Sequence, residues 1–190
     1  MEWLDVVNDN GIPTGEVVSR EKAHREGITH RTSHVWIVRI KEGRLQILLQ
    51  KRSSNKDSYP GCYDISSAGH IPAGIDFVPS AIRELEEELG VIAAPEELHF
   101  CGQRKIHFEE EFYGEMFRDD QVSNIYLLWR DQESFALQKE ELSEVRWFDF
   151  EECVDAVKNN SIPHCIYVEE LLMVKAGADE SLRGLKDKSL

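Results

Sequence analysis

Residues 69–91 read GHIPAGIDFVPSAIRELEEELGV, and this stretch carries the clearest helix signal in the chain. The pattern predicts a helix from about Pro79 to Leu89, because proline suits the first helical turn and Gly90 suits the left-handed position after the last turn. At about 100° per residue, Leu85 and Leu89 fall on one narrow apolar stripe. The helix is therefore expected to pack on a core through one side only.

A second face of this helix is acidic. Glu84, Glu87 and Glu88 fall together on the helical wheel, whereas Glu86 points elsewhere. A solvated acidic face is the plain interpretation of such a run. However, Glu84 and Glu88 are like charges four residues apart, and the last helical turn disfavours anions. Mg²⁺ or Mn²⁺ would relieve the repulsion, because hard cations prefer oxygen ligands. The three carboxylates are therefore candidate metal ligands.

The same stretch resembles the signature of the Nudix hydrolases: glycine, five residues, glutamate, seven residues, then Arg-Glu-aliphatic-x-Glu-Glu-x-Gly-aliphatic. The positions that match are Gly69, Arg83, Glu84, Leu85, Glu87, Glu88, Gly90 and Val91. The resemblance implies that Arg83 and the three glutamates form the catalytic set, with the glutamates as metal ligands. It also implies that Gly69 and His70 contribute to the substrate site.

One position departs from the signature, because Ile75 stands where the first glutamate is expected. In the family that glutamate mainly pairs with the arginine of the signature. Two alternatives remain open here: Asp76 replaces the missing glutamate, or Arg83 pairs with Glu87, its neighbour on the wheel.

The flanking segments resemble the Nudix branch related to isopentenyl-diphosphate isomerase. They read THRTSHVWIV at 29–38, LLQKRSSNKDSYPGCYDISSAGH at 48–70 and FALQKEELSEVRWF at 135–148, within a similarity that extends from about residue 2 to about residue 150. The resemblance implies that Arg52 and Lys56 hold a diphosphate, although surface charge alone also explains such a pair.

The isomerase resemblance also concerns three histidines that match candidate metal ligands and two catalytic residues of the isomerases that this sequence lacks. His24, His30 and His70 are similar to metal-binding histidines of the isomerases, although a lone histidine is more often structural. The segment from Ser66 to His70 lacks the isomerase thiol, and Gln121 stands where a second late acid is expected. Both losses favour a hydrolase. His34 alternates with apolar strand residues and is expected to serve packing only.

Composition excludes several other classes. The 190 residues have a net charge of −14, which disfavours binding to duplex nucleic acid. The chain contains no apolar stretch long enough for a membrane span and no secretion signal at its start. The four cysteines lack CxxC spacing and are expected to be reduced thiols in the cytoplasm.

The coarse pattern predicts an α+β fold, which the resemblance specifies as a Nudix-type α/β/α sandwich with a central mixed sheet. A single domain is expected over residues 1–175, followed by a flexible tail at 176–190. Predicted strands cover residues 2–7, 32–40, 45–51, 62–68, 98–107, 122–130 and 144–150. Predicted helices cover residues 19–26, 79–89, 151–158 and 164–175.

The function expected from these features is Mg²⁺-dependent hydrolysis of a diphosphate linkage by attack of water at phosphorus. The partner is a small organic diphosphate, and the sequence is compatible with a homodimer. One of the three glutamates, Glu140 or Glu141 is expected to act as the general base. The alternatives are an isopentenyl-diphosphate isomerase-like enzyme and a non-catalytic sensor of diphosphates.

Overall fold

The computed structural model describes the backbone of residues 2–187 and the side chains of residues 2–184. The strands are β1 (Trp3–Val7), β2 (Pro13–Ser19), β3 (His30–Lys41), β4 (Arg44–Arg52), β5 (Tyr63–Asp64), β6 (Ser67–His70), β7 (His99–Phe112), β8 (Glu115–Trp129) and β9 (Leu142–Asp149). The helices are α1 (Arg20–Glu26), α2 (Phe77–Leu89), α3 (Phe150–Lys158) and α4 (Val168–Asp187).

A mixed sheet forms the centre of the fold. Its main path is β5-β4-β3-β8-β7, with β6 also paired to β3 and β9 to β4. Strands β3 and β8 run parallel, and the other described pairings are antiparallel. Along one edge, β3 pairs first with β6 and then with β4. This change of partner brings β6, which carries Gly69 and His70, beside the first half of β3.

Helices cover both faces of the sheet. On one face, Leu85 and Leu89 of α2 are fully buried against a cluster that includes Ile37. On the other face, α3 and α4 pack on a cluster that includes Trp36 and Phe150. The predicted α/β/α sandwich with a mixed sheet is therefore confirmed, as is the predicted apolar stripe of α2.

Residues 176–187, for which the sequence predicts a flexible tail, continue α4 through Asp187 rather than ending the predicted helix at residue 175. Ala178 is fully buried in the core, and Lys175 donates to Asp179 one turn later at 2.8 Å. Gly177 lets the helix approach β7 closely, since a Cβ there would lie 2.6 Å from the sulfur of Cys101. Burial against the sheet thus stabilises a segment whose composition alone favours fraying. Residues 188–190 lie outside the described part of the chain.

Two other strand predictions need correction. Residues 62–68 form the short strands β5 and β6 rather than one continuous strand. Strands β7 and β8 are longer than predicted and form a hairpin that turns at Tyr113 and Gly114. Its outer half is rich in glutamate, which weakens the strand pattern, but Phe108 and Phe117 pack across the pair at a ring distance of 5.9 Å.

Candidate active site

A cavity of about 840 Å³ lies where the sheet, α2 and three connecting segments meet. Its walls come from β3, β6, β7, β8, α1 and α2, from the loop after β4, from the segment before β9 and from the segment before α4. The volume is in the range of pockets that bind small organic molecules. The three glutamates of the signature, Gly69, His70, Arg52 and Lys56 all line it.

The acidic face of α2 forms one wall of this cavity. Arg83 donates to Glu84 at 2.6 Å and to Glu87 at 2.8 Å, so it holds two of the three carboxylates. Glu88 is only 5% exposed, and its Oε2 has no hydrogen-bond partner among the described residues. Glu86 is exposed and does not line this cavity. The wheel therefore placed the four glutamates correctly.

Burial controls the protonation of two of these carboxylates. It raises the pKa of Glu88 to about 8, and Glu84 adds to the rise by repulsion. It also raises the pKa of Glu84 to about 7, against the attraction of Arg83. A buried carboxyl group with an unpaired oxygen carries a large desolvation cost. A hard divalent cation would remove that cost, so these residues fit the predicted metal.

Gly69 makes the approach of β6 to the acidic face possible. A Cβ at this position would overlap the side chain of Glu84, including its carboxyl carbon. The backbone therefore lies directly against a candidate metal ligand. Any larger residue would displace either the strand or the carboxylate.

The loop before α2 is held without the missing signature glutamate. Arg31 donates to Asp5 and to the carbonyl oxygen of Ile75, both at 2.8 Å, while the amide of Gly74 donates to Asp5 at 2.9 Å. Asp76 lies 3.7 Å from Arg31. Arg83 therefore pairs with Glu87, as the second alternative expects, and Asp76 lies beside Arg31 rather than Arg83.

The basic pair of the loop after β4 lies in the cavity, but each member already contacts a carboxylate. Arg52 donates to Asp64 at 2.9 Å and to the carbonyl oxygen of Ser58 at 2.9 and 3.0 Å. Lys56 forms an ion pair with Glu141, one of the candidate general bases. Binding of a phosphate here would therefore have to compete with Glu141 for Lys56.

His24, His30 and His70 converge beside the acidic wall, which their spacing in the sequence did not establish. One ring nitrogen from each lies within 4.8 Å of those of the others. Asp119 of β8 completes the group, with its Oδ1 3.5 Å from Nε2 of His30 and 3.8 Å from Nε2 of His24. Gln121, which replaces the expected acid, also lines the cavity.

Electrostatics keeps these rings neutral. Burial, followed by repulsion from His30 and Arg20, lowers the pKa of His24 to about 3. Burial also lowers the pKa of His30 and, strongly, that of His70. It raises the pKa of Asp119 to about 7. Neutral imidazoles are the form that ligates metals, so this group has the chemistry of a metal site.

Sequence reasoning missed several groups that the tertiary structure brings to the cavity. His34, expected to serve packing only, lines it and pairs with Glu170 of α4. Phe108 and Phe117 extend into it from the long hairpin. Cys165 also lines it, but burial holds the pKa of this thiol well above its usual value. These groups are distant from the signature in sequence, so no local pattern pointed to them.

All four cysteines are free, as the sequence predicts. Among the described residues, no helix is both long and apolar enough to cross a membrane.

Comparisons with known proteins identify the family. Residues 30–166 match the model of the NUDIX domain. The chain is 44% identical over 154 residues to Nudix hydrolase 3 of Arabidopsis thaliana, which covers 80% of this chain and 20% of that protein. It is 36% identical over 143 residues to an uncharacterized Nudix hydrolase of Clostridium acetobutylicum, covering 74% of this chain and 66% of that one. The chain thus spans about a fifth of the length of the first relative and about two thirds of the second.

A solved structure agrees with the fold. The crystal structure of DR0079 from Deinococcus radiodurans superposes with a TM-score of 0.66 at 20% identity, covering 90% of this chain and 97% of that one. Enzymes of the matched family act on small molecules and generally use divalent metal ions. The chain belongs to the NUDIX family.

Proposed function

We propose that this protein is a Mg²⁺-dependent hydrolase that cleaves the diphosphate linkage of a nucleoside diphosphate derivative or a related organic diphosphate. One observation carries the proposal: Glu88 is buried and Glu84 half-buried in the same cavity wall, and one oxygen of Glu88 has no partner among the described residues. When bound, Mg²⁺ would offset charge that develops on the phosphate oxygens and lower the pKa of the attacking water.

Each residue of the site has a separate role in this proposal. Glu84, Glu87 and Glu88 hold the metal, and Mn²⁺ is an acceptable substitute. Arg83 orients Glu84 and Glu87 through its two hydrogen bonds. Gly69 lets the backbone of β6 lie directly against Glu84 at the substrate site, because a Cβ there would overlap that carboxylate.

Arg52, Lys56 and His70 bind the diphosphate in this proposal, and all three line the cavity. Entry of a phosphate near Lys56 would release Glu141 from its ion pair. The freed carboxylate would then be available to accept a proton from water. This coupling favours Glu141 over Glu140, whose carboxylate has no such link to the diphosphate.

The proposal is tested with a panel of diphosphates incubated with Mg²⁺, read by release of phosphate-containing products. The panel contains a nucleoside diphosphate, a nucleotide sugar, a dinucleotide and a prenyl diphosphate. We expect hydrolysis of at least one of them, loss of turnover in excess chelator and recovery with Mg²⁺ or Mn²⁺. Full turnover in excess chelator, or no hydrolysis of any of them, would contradict the proposal.

An isopentenyl-diphosphate isomerase-like activity is the second candidate. It is favoured by the group of His24, His30, His70 and Asp119, which offers a nitrogen-rich metal site in the same cavity. It is disfavoured because the segment from Ser66 to His70 lacks a thiol and Gln121 stands where a second acid is expected. Incubation with isopentenyl diphosphate separates the two candidates: a shifted double bond supports the isomerase, and released phosphate supports the hydrolase.

A non-catalytic sensor is disfavoured because all three signature glutamates are present. The free thiols support a reducing compartment, so the proposal places the protein in the cytoplasm. Its partner would be the small-molecule diphosphate rather than duplex nucleic acid, and a homodimer is compatible with it.

A further inference from the structure

His34 lies in the middle of β3 and lines the cavity. Its Nδ1 lies 2.5 Å from Oε1 of Glu170, which belongs to the first turn of α4 and is 1% exposed. The two residues are 136 positions apart in the chain, so only the docking of α4 on the sheet brings them together. Neither residue is used by the proposed metal chemistry.

The surroundings favour an ionised pair. Glu170 lies near the N-terminus of α4, where the helix dipole favours a negative charge. Burial alone would lower the pKa of His34, but the charge and hydrogen bond of Glu170 outweigh burial, so the pKa is raised. Arg104 lies 3.8 Å from the second oxygen of Glu170. The carboxylate is thus held between two cationic groups.

The pair leaves one donor free for a ligand. Because Nδ1 of His34 is occupied by Glu170, an imidazolium has only Nε2–H left to donate. Nε2 lies 3.4 Å from Oγ1 of Thr32, which is itself 2.6 Å from Oγ of Ser123. Thr32 also lines the cavity, so a ligand atom that enters this end meets an N–H group with only a long hydrogen bond to the protein.

Stability alone does not explain a charged pair in this position. Replacing a buried ion pair by apolar residues is often neutral or stabilising. On the same face of β3, the next residue is Trp36, which is fully buried in the apolar core. An apolar side chain at position 34 would extend that core, and the charged pair is instead directed at the cavity.

We propose that His34, positioned by Glu170, determines substrate specificity by donating a hydrogen bond to an acceptor atom of the organic group linked to the diphosphate. The inference rests on the proposed function and narrows its substrate class to polar, acceptor-bearing groups such as a nucleoside or a sugar. A prenyl chain has no acceptor and would leave the donor unpaired, which is the kind of mismatch that sites discriminate against strongly.

The test compares two substitutions on adjacent residues of α4. Glu170→Gln keeps a hydrogen-bond acceptor for Nδ1 but removes the charge, so His34 becomes neutral and Nε2 loses its proton. Glu169→Gln makes the same change on a side chain that is 71% exposed and serves as the matched control. His34→Phe removes the donor directly while keeping a planar ring.

The activity readout uses ADP-ribose and dimethylallyl diphosphate as paired substrates with Mg²⁺. Glu170→Gln and His34→Phe are expected to lower kcat/KM for ADP-ribose about 10- to 100-fold, mainly through KM, because a charged hydrogen bond distant from phosphorus is lost. For dimethylallyl diphosphate, kcat/KM should not fall and is expected to rise, because the unpaired donor that disfavours a prenyl chain is removed, so specificity shifts toward the prenyl compound. Equal losses for both substrates would show a structural role and overturn the inference.

A binding readout separates this inference from the proposed function. Calorimetric titration of ADP-ribose in chelator needs no metal and no turnover. The inference expects binding to the wild type and to Glu169→Gln, and at least tenfold weaker binding to Glu170→Gln. Binding with this pattern but without hydrolysis of any diphosphate would contradict the proposed hydrolase alone. Absence of wild-type binding, or equal binding to all variants, would overturn the inference.

Discussion

Glu86 and Glu88 lie two residues apart on α2, but only Glu88 lines the cavity. Its Oε2 has no partner among the described residues, whereas Glu86 is exposed to solvent. We expect Glu88→Gln to lower kcat at least 100-fold, about 3 kcal/mol of transition-state stabilisation, because a metal ligand loses its charge. Glu86→Gln should leave kcat within about threefold. Steady-state kinetics of both variants with one substrate measures the difference, and equal losses would refute the metal assignment.

The raised pKa of Glu88 has a consequence for metal-free stability. Its pKa is about 8 in the folded protein and near 4.5 when unfolded, so the folded state binds the proton more tightly. The desolvation penalty is therefore absent below pH 4.5, grows as pH rises and is complete above pH 8. In chelator, the Tm of Glu88→Gln should exceed that of the wild type at pH 8.5, and the two values should converge near pH 5. Thermal melts across this range measure the difference, and a constant gap would contradict the prediction. Comparing the two proteins cancels the contribution of the buried histidines.

At the scale of the element, substitutions at Gly177 and Gly184 test whether α4 extends past residue 176. A Cβ at Gly177 would lie 2.6 Å from the sulfur of Cys101, whereas none of the described atoms lies within 4 Å of one at Gly184. Gly184→Ala should raise the free energy of unfolding by up to about 1 kcal/mol, through helix propensity. Gly177→Ala should lower it by about 1 kcal/mol, because the clash outweighs the same propensity gain. Urea denaturation measures both, and equal small effects would mean that α4 ends earlier than described.

At the same scale, two strands hold the loop before α2, in which Ile75 stands at the position of the first signature glutamate. Asp5 of β1 and Arg31 of β3 hold the backbone of Gly74 and Ile75. These two strands thus orient the loop where the family signature has a glutamate. The signature arginine, Arg83, is left to bridge the carboxylates of its own helix.

At the scale of the whole molecule, the net charge of −14 complicates the detection of a bound metal ion. Any salt stabilises such a protein by screening the repulsion among its negative charges, so specific Mg²⁺ binding must be distinguished from this general effect. A cation that binds only the folded state stabilises it by about 2.7 kcal/mol at a concentration 100 times its Kd. We therefore expect millimolar Mg²⁺ to raise the Tm of the wild type more than NaCl of equal ionic strength does. The excess should be lost in Glu88→Gln, because a ligand charge is gone. An equal excess in that variant would place the bound cation elsewhere.

The sequence by itself determined the elements whose information is local. The C-terminal limit of α2 follows from Gly90, whereas the helix begins at Phe77, two residues before the predicted start at Pro79. Its buried and acidic faces follow from helical periodicity. The family signature lies in one stretch of 23 residues, so residues 69–91 also indicated the candidate metal ligands. Such features need no knowledge of distant contacts, because neighbours along a helix are neighbours in space.

Only the tertiary structure decided how distant segments meet around the cavity. It paired His34 with Glu170 and Lys56 with Glu141, and it brought Asp119 to the three histidines. It also made residues 176–187 helical by covering Ala178 with the sheet. These outcomes depend on the docking of α4 and on the register of β3 with β8, which local propensity does not encode. Burial then sets the charge of each group, and burial exists only once the chain has folded.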